Sequence, residues 1–248
     1  MPSKTLESEL NQQTSRERDR LIVALDVSDA NEARELVRRI GDFAGIYKVG
    51  LQLFTAEGPA FVRELVDSGR KVFLDLKLHD IPTTVKHAVK SAVATGASML
   101  TVHASGGSAM LEAAAEAAGG RLTLLGVTVL TSFSDEDLMQ VGVTTRVLNQ
   151  VLRMAALARG AGFRGIVTSP REATEVRRAL GEGFAIVTPG IRPAGADTND
   201  QQRTATPESA IRAGVSHIVV GRPITHAANP AEAARAILAE MARAQATK

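Results

Sequence analysis

Short apolar runs and helical patterns alternate eight times along this chain, and that alternation limits its fold more than any other feature. Runs rich in Val, Ile and Leu lie at 21–27 (LIVALDV), 46–50 (IYKVG), 72–78 (VFLDLKL), 99–104 (MLTVHA), 122–130 (LTLLGVTVL), 165–169 (GIVTS), 185–190 (AIVTPG) and 217–222 (HIVVGR). Between them stand segments with apolar residues at helical spacing, such as DANEARELVRRI, AMLEAAAEAA, TRVLNQVLRMAALARGAG and SPREATEVRRALG. Several open on Asp, Ser or Thr, which cap free N–H groups, and close near Gly. Eight βα units in about 230 residues match a single α/β domain closed as a (β/α)8 TIM barrel. An open doubly wound sheet usually has roughly five to seven strands and a glycine-rich turn after the first. Here the first run leads into LDVSDA, so the dinucleotide fingerprint is missing.

Residues 1–19 mix both charge signs without an apolar run and read as a flexible tail, neither signal peptide nor membrane span. The barrel is expected over 20–248, closing on the helical pattern NPAEAARAILAEMARAQATK. Lys and Arg number 29 against 27 Asp and Glu, a net charge of +2, which supplies no strong field for nucleic acid or a membrane surface. The chain has no cysteine, which removes disulfides, thiolate metal sites and cysteine nucleophiles and fits a reducing, cytoplasmic setting.

In such a barrel the functional groups stand at the carboxyl ends of the strands. Those ends carry Asp26, Lys48, Asp75 with Lys77, His103, Thr131 with Ser132, Ser169, Arg192 and Arg222, a convergent polar ring. Side chains alternate along a strand, so Phe73, Asp75 and Lys77 point into the barrel while Val72, Leu74, Leu76 and Leu78 face the helices. An unpaired buried charge costs several kcal/mol, so Lys77 among acids, with Lys48 beside them, forms a mutually compensating set. Asp80 falls past the strand end, where a short loop aims it away from its own barrel mouth and toward a neighbouring subunit. A purely structural ion network is the plainer reading, but such a network has no reason to face Arg192 and Arg222. Magnesium held by Asp75 and Asp80 is another, and the Lys77 ammonium between them argues against it.

The turns VTPGIRP and VVGRPI offer backbone N–H groups together with Arg192 and Arg222, a set suited to a phosphate dianion. The stretch IRPAGADTNDQQRTA, with Gln201, is long for such a connection and reads as a lid over that phosphate. None of the five histidines is assigned to the chemistry; His103 is expected to shape the end of strand four through a hydrogen bond.

The segments LIVALDV, YKVGLQLF, VFLDLKLHDIPTTV, TVHASGG, GVTVLTS, VTPGIRP, NDQQRTATPESAI and HIVVGRPIT, in that order from about residue 20 to 243, resemble the orotidine 5′-phosphate decarboxylase family. DLKLHDIP together with GIRP and VGRPI is far more specific than any of them alone. The resemblance implies a homodimer that converts orotidine 5′-monophosphate to uridine 5′-monophosphate without metal or organic cofactor. It implies Lys77 as proton donor, flanked by Asp75 and by Asp80 of the partner subunit, with Lys48 completing the array. It implies further that Asp26 and Thr84 contact the ribose, that Thr131 and Ser132 lie at the pyrimidine, and that Arg192, Gln201, Gly221 and Arg222 hold the phosphate. Two rivals share parts of this pattern: a magnesium-dependent sugar-phosphate barrel, which needs an acid where strand two has Lys48, and a nucleotide sensor that has lost part of the charged set.

Overall fold

The computed structural model describes residues 17–194 and 204–244. Eight parallel strands close into one barrel in the order β1 to β8: Leu21–Ala24, Ile46–Gly50, Lys71–Leu78, Met99–His103, Thr123–Val127, Gly165–Val167, Ala185–Thr188 and His217–Val220. Ile22 pairs with Ile46 on one side and Val219 on the other, so the first and last strands seal the sheet. The single-domain (β/α)8 architecture expected from the alternation is the one observed.

The period of two divides the core into two layers. Ile22, Ala24, Ile46, Phe73, Leu125, Val187 and Val219 fill the barrel, while Leu21, Val23, Tyr47, Val49, Val72 and Leu74 join the larger layer between sheet and helices. Continued past the packed interior, the inward series reaches Asp26 after Ala24, Lys48 after Ile46, and Asp75 after Phe73. The apolar periodicity that closes the barrel therefore also sets the polar groups at its mouth.

The helices are α1 (Ala30–Ile40), α2 (Leu51–Asp67), α3 (Pro82–Val93), α4 (Gly107–Ala118), α5 (Asp135–Gln140), α6 (Val147–Gly160), α7 (Ala173–Leu180), α8 (Pro207–Arg212), α9 (Arg222–Thr225) and α10 (Pro230–Arg243). Asp29 caps α1 through the N–H groups of Asn31 and Glu32 at 2.8 and 3.0 Å, and Thr206 and Asn229 cap α8 and α10 in the same way. α2 is broken at Gly58 (φ 66°), and Pro59 opens its second half, where a missing N–H costs nothing. The short α5 carries a capping box between Ser134 and Asp137.

Several boundaries differ from the sequence expectation, most of them strands that end before their apolar runs do. The apolar runs at 21–27 and 122–130 pair only over Leu21–Ala24 and Thr123–Val127. Leu25, Val27 and Val129 lie past those strand ends yet are buried in the layer between sheet and helices. Glu17 is already buried, with Arg20 3.3 Å from its carboxylate, so packing starts before residue 20.

Gly165 opens β6 where the barrel wall leaves no room for a side chain. A Cβ there would stand 2.5 Å from the Ala185 carbonyl oxygen and 2.9 Å from Leu125 Cδ2. Gly165→Ala is expected to lower stability by about 1–3 kcal/mol, because the backbone of β7 must give way. The urea midpoint reads the effect directly, and an unchanged midpoint would show that the wall yields freely.

Candidate active site

The carboxyl ends of the strands open into a cleft of about 590 Å³, within the range of small-molecule sites. Lys48, Asp75 and Lys77 form its floor, and Asp26 and Thr131 reach it from the rims of β1 and β5. Arg192, Gly221 and Arg222 close the side above β7 and β8.

The charges on the floor form a continuous chain. Lys48 Nζ donates to Asp26 Oδ1 at 2.8 Å and stands 3.8 Å from Asp75 Oδ2, which accepts from Lys77 Nζ at 2.8 Å. The Lys48 side chain is only 9% exposed, so its flanking acids are what make burying it tolerable. Gly50 leaves room for this pair: a Cβ at that position would lie 2.8 Å from Lys48 Nζ and 3.2 Å from Asp26 Oδ1. Gly50 is not among the sequence-derived candidates, although a glycine two residues after an inward lysine is a signal for close approach.

β3 is irregular where the chemistry-bearing residues sit. Leu74 pairs with Leu100 but Leu78 pairs with Val102, so β3 spans four residues where β4 spans two. Within that bulge Lys77 has φ 49°, alone among the described non-glycine residues in taking a positive φ. Such conformations concentrate at functional sites, where the surroundings hold them in place.

At the other side, Arg192 is 8% exposed; its Nη1 donates to the Ile191 carbonyl at 3.0 Å, and its buried Nε has no partner. Burial and, after it, the neighbouring Arg222 guanidinium push the Arg192 pKa below the ordinary arginine value. Two like charges brought together with an unsatisfied donor are the electrostatic complement of an anion.

Eight of the sequence-derived candidates thus meet in one cleft: Asp26, Lys48, Asp75, Lys77, Thr131, Arg192, Gly221 and Arg222. Of those given a role at the substrate three do not line it, and Ser169 of the polar ring is buried outside it as well. Asp80 is exposed and accepts from the Ile81 N–H at 2.6 Å, Thr84 is exposed on the first turn of α3, and Ser132 is exposed beside Thr131. Gln201 lies outside the described residues. The fourth charge of the chain is therefore Asp26, not Asp80 of the same chain. His103 makes a tilted ring contact with His79, centroids 5.4 Å apart, in place of the hydrogen bond expected of it. Burial, then His79 and Lys77, lower its pKa from the usual imidazole value. Thr225 and His226, unassigned from sequence, also line the cleft.

Among the described residues no three His, Asp or Glu side chains converge as metal ligands, and no helix is long and apolar enough to cross a membrane.

Known proteins resemble this chain over about nine-tenths of its length. Residues 19–237 match the model of the Orotidine 5′-phosphate decarboxylase / HUMPS family. The orotidine 5′-phosphate decarboxylase of Moorella thermoacetica is 51% identical over 233 residues, covering 90% of this chain and 92% of its own. That of Syntrophotalea carbinolica is 53% identical over 235 residues, covering 92% and 96%. The crystal structure of orotidine 5′-phosphate decarboxylase from Lactobacillus acidophilus superposes with a TM-score of 0.80 at 38% identity, over 89% of this chain and 98% of that one. With the barrel, the charged floor and these relatives in agreement, the chain belongs to the orotidine 5′-phosphate decarboxylase / HUMPS family.

Proposed function

We propose that this chain is a carboxy-lyase that decarboxylates orotidine 5′-monophosphate to uridine 5′-monophosphate, a step of pyrimidine biosynthesis, with Lys77 as the proton donor and no cofactor. The observation that carries the reading is the Lys77 ammonium, held by Asp75 at 2.8 Å in a cleft whose opposite side presents Arg192 and Arg222. A nucleotide monophosphate has the matching shape, with a phosphate at one end and a reacting ring at the other.

Breaking the bond between pyrimidine carbon 6 and its carboxylate releases carbon dioxide and leaves the electron pair on carbon 6, which has no adjacent carbonyl to spread it. A cation fixed at that position stabilises the charge as it develops. Lys77 then gives the carbanion a proton and recovers one from solvent, so a single group supplies both the field and the acid. Asp75 keeps Lys77 charged and aimed, and Lys48, anchored by Asp26, holds Asp75 from its other side. In this reading Asp26 and Thr84 bind the ribose, Thr131 and Ser132 flank the base, and Gln201 and Gly221 assist the two arginines at the phosphate. The enzyme works as a homodimer in the cytoplasm, and Asp80 of the partner subunit completes the array. Supporting that assembly, Asp80, Ile81 and Thr84 form an exposed stretch outside the lining of their own cleft, and Ile81 is 66% exposed.

The magnesium-dependent sugar-phosphate reading wants an acid on β2 where Lys48 stands. Orotidine monophosphate absorbance, followed with and without a chelator, separates the possibilities: chelator-insensitive turnover supports the decarboxylase, chelator-sensitive loss supports the rival, and tight binding without turnover supports a sensor.

Arg222→Ala is expected to weaken nucleotide binding and slow turnover together. Binding energy gathered at a remote phosphate can be realised in the transition state. Free phosphite should accordingly speed decarboxylation of the nucleoside lacking its phosphate by the unaltered enzyme. A phosphite-independent rate on that truncated substrate would disconnect the anion site from the chemistry.

A further inference from the structure

Where β3 bulges away from β4, one buried hydroxyl replaces the missing ladder. Thr101, in the middle of β4 and fully buried, accepts the Lys77 backbone N–H at 2.9 Å through Oγ1 and donates from the same oxygen to Asp75 Oδ1 at 3.0 Å. The hydroxyl is thereby used once as acceptor and once as donor, toward two members of the charged array. We infer that Thr101 is a positioning residue, a clip that holds Lys77 in its left-handed backbone conformation and fixes the rotation of the Asp75 carboxylate. The inference rests on the decarboxylase reading of this site.

Each contact has a separate consequence. A lysine at φ 49° is uphill in isolation, and the regular β3–β4 pairing stops at Leu74 and resumes at Leu78, so the ladder does not hold it there. The Thr101 acceptor supplies that restraint. The second contact divides the work of the Asp75 carboxylate: Oδ1 is taken by Thr101, leaving Oδ2 for Lys77 Nζ at 2.8 Å and Lys48 Nζ at 3.8 Å. Without the hydroxyl the carboxylate is free to rotate and the backbone free to relax, and both motions displace the ammonium from the point where charge develops. Thr101 does not itself line the cleft, and its contacts there are with Lys77 and Asp75 rather than with the phosphate side, so it acts through those two residues.

Thr101→Val keeps size and shape but deletes the hydroxyl, and Thr101→Ser keeps the hydroxyl. The valine variant is expected to lose on the order of ten- to a hundredfold in kcat, since displacements near 1 Å have that effect, with KM and uridine monophosphate affinity within about threefold of wild type. The serine variant should stay within about threefold in kcat. A second readout isolates the ammonium: exchange of the product's carbon 6 hydrogen in deuterium oxide, the reverse of the protonation step, should slow in parallel with kcat for valine and not for serine. Thr101→Ala repeats the test should valine distort the strand. A valine or alanine variant with wild-type kcat, equal losses in valine and serine, or a loss carried by KM and product binding would each overturn the inference. Failure of the unaltered enzyme to decarboxylate would instead overturn the reading on which it rests.

Discussion

Lys77→Ala is expected to reduce decarboxylation at least about a hundredfold while the barrel stays folded and still binds uridine monophosphate. The size follows from what is removed. A preorganised electrostatic group in a secluded site is typically worth about 10² to 10³ in rate, and here the same side chain is also the acid, so both contributions go together. Folding should survive because Lys77 stands at the mouth, its side chain 31% exposed, above a packed interior that ends at Phe73. The left-handed backbone at position 77 is no more strained for alanine than for lysine, so the change adds no cost there. It also leaves Asp75 with Lys48 at 3.8 Å and Thr101 at 3.0 Å, so the remaining carboxylate is still compensated. The discriminating measurement is single-turnover decarboxylation beside circular dichroism and product binding. More than about a tenth of the wild-type rate in a folded, binding-competent variant would remove Lys77 from the proposed role.

How far the sequence reveals this site depends on which physical signal carries each part. The barrel is legible because burial on two faces writes itself as apolar runs, and because helices between them repeat at a regular interval. The polar ring is legible for a related reason: Asp26, Lys48 and Asp75 break apolar alternation at positions where a structural residue would be apolar. The extents of β1 and β5 are not legible, since Leu25, Val27 and Val129 are buried past the strand ends, and composition records burial without recording its partner. Nor is Thr101. In a regular β3–β4 ladder a threonine at that position would be one more inward residue, and only the register shift between Leu74 and Leu78 brings it under the Lys77 N–H. Arg192 is legible as a cation but not as one with a buried, unpartnered Nε, since nothing local in the sequence records that burial. Long-range geometry of this kind has no local periodicity to announce it.

Asp80 tests a different level of organisation, because its own chain does not use it: the carboxylate is exposed, outside the cleft, and engaged by the adjacent Ile81 N–H. If Asp80 of the partner subunit completes each array, Asp80→Ala should be nearly as damaging as Lys77→Ala, on the order of a hundredfold, although the residue lies away from the Lys77 of the same chain. Mixing the two inactive proteins then has a sharp consequence. In a hybrid dimer one site lacks both residues and the other has regained both, since two-fold symmetry makes each subunit lend to its neighbour what it receives. With statistical exchange about half the dimers are hybrids, each with one restored site, so activity should recover to about a quarter of wild type per site. A monomeric arrangement, or an Asp80 acting within its own chain, gives no such recovery, because every site would then still lack one residue. Exchange verified by mass-tagged subunits but unaccompanied by activity would therefore remove Asp80 from the shared site and leave Asp26 as the outer acid of the array.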